Sequence, residues 1–599
     1  MPASTLRWRR PAIALVVAVL MVTSVLVGFH RSARAEVKVT TSSVEGSDGK
    51  TYSVTNHIVR RDVPRHPRRE WLLVWTGAAN HPEDGAAKGH RHGSASGDDG
   101  AAPDFLAVID ATEGSRTYGQ VVNTATVSPL VNGEPHHMQY MWHKGRRVFA
   151  GTMFTDTTYV FDVARLPEIR LTGVNLSQDT PCGSVPDAFV TTSDGAAYGS
   201  YMGGPDVSGP CRYTNGETRI GNGFAGSPGE LVRIGADGRT RSETPAALAG
   251  GEDPDKCRNI PPIEEATCAN PHGIQVREDL DRLIMSDFAE VRNYLDPDTN
   301  QSDPRLLRDT LRIFDISDRD RPRLLSVSEL PTGPRPDQLP AFDEDRMVME
   351  TAVTHGREHR GAFASTMAGG AVFYTPDITA KKPEWREVFD STAAYERLGL
   401  DLTGSNAGSS WLQVSPDDRY LFQAVMGSDP RLPEGETSGM VFVLDVRRLL
   451  ASGDDPRCEI DAPAEVSEGG AERDCPALID AQQIKGGLGG PQGRVGTGPH
   501  WGAMDNFRLG WDGRYHETKS IRRIATSNYF VAQTGIDGDH KVCITRFHPR
   551  TGLSIDRAFR DEVTGEPCVD FDRTSWPHGE RGHARPHGVL FAVADADLR

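Results

Sequence analysis

Positive charge is in deficit in this sequence: 66 Lys and Arg stand against 83 Asp and Glu over 599 residues, a net charge of −17. A chain of that sign repels a phosphate backbone, so nucleic acid is excluded as a partner. Apolar length is scarce as well, and after residue 35 no run is long enough to span a bilayer. None of the eight cysteines forms C-x-x-C, which argues against zinc and thioredoxin chemistry. No G-x-S-x-G elbow, Walker A loop or H-E-x-x-H helix occurs, so serine-hydrolase, P-loop and zincin chemistry have no support. With 62 Gly and 40 Pro the chain is turn-rich, which disfavours long helices.

What is there begins with an export signal. Arg7, Arg9 and Arg10 precede an apolar run from Ala12 to Phe29, and Ala33-Arg34-Ala35 follows as an A-x-A cleavage pattern. Residues 1–35 are read as a secretory signal peptide, the alternative being an uncleaved signal anchor and the only membrane contact expected. Arg9-Arg10 is a weak hint of twin-arginine export. Loss of 1–35 removes five Arg and no acid, leaving a more acidic secreted or cell-surface protein. The cysteines agree with that compartment. They fall as four neighbouring couples, Cys182 with Cys211, Cys257 with Cys268, Cys458 with Cys475 and Cys543 with Cys568. Local disulfides that staple surface loops are the simplest reading.

The body of the chain repeats. Pro271 to Val276, Arg282 to Ser286, Leu311 to Ile316 and Leu324 to Val327 are short apolar or alternating runs separated by Asp, Gly and Pro turns, the pattern of a four-stranded blade. The same order recurs from Pro135, Pro186, Val353, Trp411 and Pro499. Residues 71–77 and 105–110 lack a first strand, and Pro586 to Phe591 is a first strand without a blade. Joined, they complete a ring. The fold class expected is all-β, a seven-bladed β-propeller over 69–599, closed by the C-terminal strand entering the N-terminal blade. Residues 36–68 read as a polar lead-in, and 80–103 and 451–490 as loop insertions.

First strands of a propeller line its central channel. Aligned on their shared pattern, His136, His272, His500 and His587 each follow a proline in one register, and Thr354-His355-Gly356 supplies His355. Blade three offers Asp187, blade six Ser410, and His137 adjoins His136. A charged ring of imidazoles repels itself, and a neutral one is poorly satisfied. A metal ion resolves both, and an imidazole set without thiolate suits copper, iron or zinc. The expected ligands are His136, His137, His272, His355, His500 and His587. Asp187 joins His359 and His583 as expected outer groups that orient them.

The order of these segments resembles the selenium-binding protein family, which includes bacterial methanethiol oxidase. The resemblance rests on Asp104 to Asp110, Glu134-Pro135-His136-His137-Met138, Thr158 to Val163, Thr354-His355 ahead of Gly361 to Ala364, Ser415 to Leu421, and the late His587. It implies a seven-bladed propeller with copper held by His136, His137, His355 and His587. It also implies conversion of methanethiol, O2 and water to formaldehyde, hydrogen sulfide and hydrogen peroxide. The chain departs from the family pattern in Asp187, which replaces a histidine, in the added His272 and His500, and in lacking a matching selenium-binding cysteine. The function expected is a secreted copper oxidase of a small thiol, with O2 as co-substrate. A non-catalytic metal- or protein-binding surface propeller and a lactonase-like hydrolase are the alternatives.

Overall fold

A computed structural model describes residues 36–599 apart from 61–67, 79–101, 206–207, 249–268, 297–298, 336–339, 399–406, 428–438, 459, 461–471, 485–494, 535, 574 and 581–582. The leader at 1–35, nearly all of the 80–103 insertion, and Cys257 and Cys268 therefore lie outside the described residues.

The strands form a seven-bladed β-propeller. Blades two to six are four-stranded antiparallel sheets that open at Pro135, Ser184, Pro271, Val348 and Ser409. Blade seven opens at Trp501, and an extra short strand, Val569–Asp570, pairs with its third strand, Lys541–His548. Blade one holds the closure. Ala584–Val593 pairs antiparallel with Glu70–Ala78, from Glu70 opposite Val593 to Ala78 opposite Ala584. Nine residue pairs, buried all along Glu70–Ala78, knit the two ends of the ring together, so the inner edge of that strand is not left unpaired.

The polar segment ahead of the ring is itself paired. Glu36–Glu45 and Thr51–Arg60 form a hairpin added to the outer edge of blade one, which makes that blade six-stranded. Asn56 on this hairpin is buried and clasps blade two. Its Oδ1 accepts from Ile169 N at 2.9 Å and its Nδ2 donates to Ile169 O at 2.8 Å. In the 451–490 region, Ala477–Gln483 is the fourth strand of blade six and Cys458 is bonded to Cys475. Cys182–Cys211 and Cys543–Cys568 are also disulfides. No helix among the described residues is long and apolar enough to cross a membrane.

Two features aim the first strands at the axis. Pro135 and Pro271 are the first residues of their strands and so cost no ladder bond, because the missing N–H falls where the strand begins, while Pro186 is third in its strand, next to the bulge. Immediately after each proline the register slips, between Pro135 and Met138, Pro186 and Phe189, and Pro271 and Ile274. Such a bulge frees the residue following proline from the ladder and turns it toward the channel. A hydroxyl on the second strand then fixes the first strand of the next blade. Ser286 Oγ donates to Met349 O at 3.0 Å and Ser365 Oγ to Ser410 O at 3.2 Å, while Ser200 and Ser527 bind the carbonyls of His272 and His587.

Candidate metal centre

The serine contacts mark His272, Met349, Ser410 and His587 as channel positions, and the residues that follow Pro135, Pro186 and Pro499 in the same way are His136, Asp187 and His500. The structure brings five histidines and one aspartate together there. His136, His137, Asp187 and His272 form one group, and His137, His500 and His587 another. Within each, the nearest nitrogen and oxygen atoms all lie within 4.8 Å of one another. Every one of these residues is buried.

His137 is the hub. Its ring centroid lies 4.1 Å from that of His136, 5.2 Å from His272, 5.3 Å from His500 and 4.9 Å from His587. Trp501 stacks on it at 3.7 Å with the planes 19° apart, which fixes the direction of both ring nitrogens. Nδ1 lies 3.2 Å from Asp187 Oδ1, and Nε2 lies 3.2 Å from His500 Nε2. Asp187 Oδ1 is also 2.8 Å from His136 Nε2, and Oδ2 is 3.5 Å from His272 Nδ1.

His355 is not part of this set. The strand Val348–Val353 crosses the channel wall before it, so His355 sits on the exposed turn beyond, about 16 Å along the chain from Glu350 at ~3.3 Å per residue. Its Nε2 meets the carbonyl of Val414 at 3.1 Å. The proline that marks five of the other blades is missing here, and the nearest histidine drew the register six residues too far, from Met349 to His355. His359 is held by Asp418 at 2.9 Å and His583 by Asp572, so neither stands behind the ring histidines. Asp187, by contrast, is one of the clustered donors itself. Ser410 spends its hydroxyl on the carbonyls of Ala424 and Pro499.

Glu350 is the functional residue that sequence reasoning missed. It follows the channel position as His137 does, and its Oε1 lies 3.5 Å from His272 Nδ1. Its Oε2 accepts from Tyr140 Oη at 2.6 Å. Gly273 makes this approach possible, since a Cβ there would stand 2.8 Å from Glu350 Cα. The available signal was the serine spacing: Ser365 stands to Met349-Glu350 as Ser286 does to His272-Gly273 across their hairpins.

Burial dominates the electrostatics. It holds His137, His500 and His587 well below the ordinary histidine value, reinforced by the neighbouring imidazoles, so all three are neutral at physiological pH. Burial acts the same way on His272, but Asp187 and Glu350 outweigh it and raise that histidine. Burial pushes Glu350 up to about 7, against the pull of His272 and the Tyr140 hydrogen bond.

The donor set fits a metal ion. Both oxygens of Asp187, both nitrogens of His587 and the Nδ1 atoms of His136, His137, His272 and His500 are buried without a hydrogen bond. Buried polar groups are ordinarily paired, and this many orphans converging on one channel are what a coordinated cation would satisfy. Imidazole and carboxylate without thiolate is the chemistry of copper(II), iron(II) or zinc. A second buried cluster, Glu344, Glu387 and Asp390, lies off the axis. There Arg335 pairs with both oxygens of Asp390, at 3.1 and 2.8 Å.

Fold and site thus define a seven-bladed propeller with a buried histidine-carboxylate centre in its channel. Among solved structures, a hypothetical selenium-binding protein from Sulfolobus tokodaii superposes with a TM-score of 0.52 at 14% identity, over 89% of this chain and 95% of that one. The periplasmic gluconolactonase PpgL of Pseudomonas aeruginosa gives a TM-score of 0.42 at 13% identity, over 87% and 99%. At 14% identity the likeness to the Sulfolobus protein concerns the fold alone. No protein-family model matches the chain, and no curated protein matches it.

Proposed function

We propose that this protein is an exported copper-dependent oxidase that uses O2 to oxidise a small thiol such as methanethiol. The observation that carries the reading is the convergence of His136, His137, Asp187, His272, His500 and His587 with their ring and carboxylate atoms unsatisfied. The order of motifs shared with the selenium-binding family supports the choice of copper and thiol, and the disulfides support an oxidising compartment.

Those six residues would hold the copper, which supplies the one-electron chemistry that lets O2 react with a closed-shell thiol. The rest falls to the chain. Phe288, 5.0 Å from His272, and Phe530, 4.9 Å from His500, give the site apolar walls that suit a methyl group and keep water out. Glu350 and Tyr140 form a proton-holding pair beside His272. Oxidation of a thiol releases protons, and a carboxyl that titrates near neutrality is matched to receiving one.

The test is O2 uptake by the copper-loaded protein supplied with methanethiol, with sulfide and peroxide measured alongside. Sulfide and peroxide equimolar with the O2 consumed are expected. No uptake at full copper loading overturns the reading, and lactone hydrolysis without O2 would replace it with the hydrolase alternative.

A further inference from the structure

We infer that the channel holds two metal ions, not one, and that the imidazole of His137 bridges them. The inference rests on the reading that the ring binds metal at all, and it deepens that reading. Six donor residues are present, whereas a copper or zinc ion takes four or five ligands. The donors divide into two groups, and His137 is the residue they share. One group is His136, Asp187 and His272; the other is His500 and His587. The two nitrogens of an imidazole point away from each other and cannot face one ion. In His137, Nδ1 faces Asp187 at 3.2 Å and Nε2 faces His500 at 3.2 Å. Trp501 against its face holds that orientation.

Ring separations single out the shared residue. They make His137 the one ring central to both groups: it is within 5.3 Å of all four others, whereas His136 lies 6.3 Å from His272, 6.4 Å from His500 and 4.0 Å from His587, and the division itself is set by the donor atoms. With metal–nitrogen bonds of about 2.1 Å on either side of the ring, the ions would stand about 6 Å apart. The bridge also gives His272 and His500, which the family resemblance does not require, a place. His272 completes the first site and His500 the second.

The proton balance is definite. Neutral His137 carries one N–H. Coordination through both nitrogens removes that proton, which passes to solvent, and the ring becomes an imidazolate. Asp187 and the imidazolate then offset two of the four positive charges, and Glu350 beside His272 offsets a third.

The experiment is a titration of the metal-free, full-length secreted protein with Cu2+, and separately with Zn2+. It is read by elemental mass spectrometry after dialysis, by pH-stat, and, for copper, by spin resonance. Two ions per chain are expected. One proton from His137 should appear as the second ion binds. The spin-resonance intensity at two coppers should fall well below two independent spins, because an imidazolate couples them. His587→Ala should retain one ion per chain with a full mononuclear signal. Saturation at one ion per chain overturns the inference, as do two coppers with independent spins. Should His587→Ala not fold, the wild-type titration alone decides. Thiol turnover by a protein saturated at one copper would sink the bridge and leave the oxidase. Two coupled coppers with no O2 uptake would do the reverse.

Discussion

At the scale of single residues, the centre depends on which side chains escape the ladder. Proline followed by a register slip puts His136, His272 and Asp187 on the axis, so the prolines in the sequence already pointed to them. Blade five has Val348 in place of proline and a slip of a different length, so neither Met349 nor Glu350 was legible. The geometry makes opposite forecasts for two histidines. His355→Ala should keep the full metal content of the wild type, whereas His272→Ala should lose at least half, both measured by elemental mass spectrometry on dialysed protein. Retention of all metal by His272→Ala would remove it from the ligands.

A residue-scale forecast away from the channel concerns Glu230. It is fully buried, and both its oxygens lack a hydrogen-bond donor. Burial raises it well above the ordinary carboxyl value, and the nearby Glu243 raises it further. Burial also pushes Glu243 up to about 7. A raised folded-state pKa means the native protein binds more protons than the unfolded chain above about pH 4.5, so this pair costs stability as pH rises from there through 7. Glu230→Gln removes that proton linkage. Its stability relative to wild type, from denaturant melts with disulfides intact, should therefore improve steadily between pH 5 and pH 8. A difference that stays flat over that range would refute the assignment.

Elements carry the next level of argument. The hairpin 36–60 shows why a strand can be read as a lead-in: residues such as Val37 and Val39 are exposed, so its alternation has no strong apolar face. Its second strand buries Tyr52 and Val54 and pairs with Val121–Ser128, and the clasp to blade two is polar and specific, through Asn56, which no periodicity reveals. Asn56→Ala would leave the N–H and C=O of Ile169 without their partner, at about 1–3 kcal/mol for each buried group. The expected outcome is a loss of roughly 2–5 kcal/mol in equilibrium unfolding, and a loss under 1 kcal/mol would show that the hairpin is not held there. The Cys543–Cys568 bridge closes a 25-residue loop across the outer strands of blade seven. Replacing both by Ser should cost about 3–4 kcal/mol by chain entropy. The four-strand grammar behind these elements was legible because each run is short, apolar and bounded by turns. The serine contacts that set one blade against the next were not, because a single hydroxyl has no pattern.

For the whole molecule, the ring is one object. Met138 and Gly588 belong to neighbouring blades, and a Cβ on Gly588 would stand 3.0 Å from His136 O, so the closing strand presses directly against the strand that carries His136 and His137. A chain ending at residue 583 loses the nine pairs of the closure together with His587. It should elute as aggregate in size-exclusion chromatography and retain no more than one metal equivalent. A monomeric, fully loaded truncation would contradict the architecture.

That arrangement orders events in time. Ribosomes deliver His587 after the other five clustered residues, so the nascent polypeptide emerges with that cluster unfinished until the closing strand appears. The six-residue cluster is thereby completed only when the closing strand seats in the first blade, and a product that stops short of that strand lacks one of its donors.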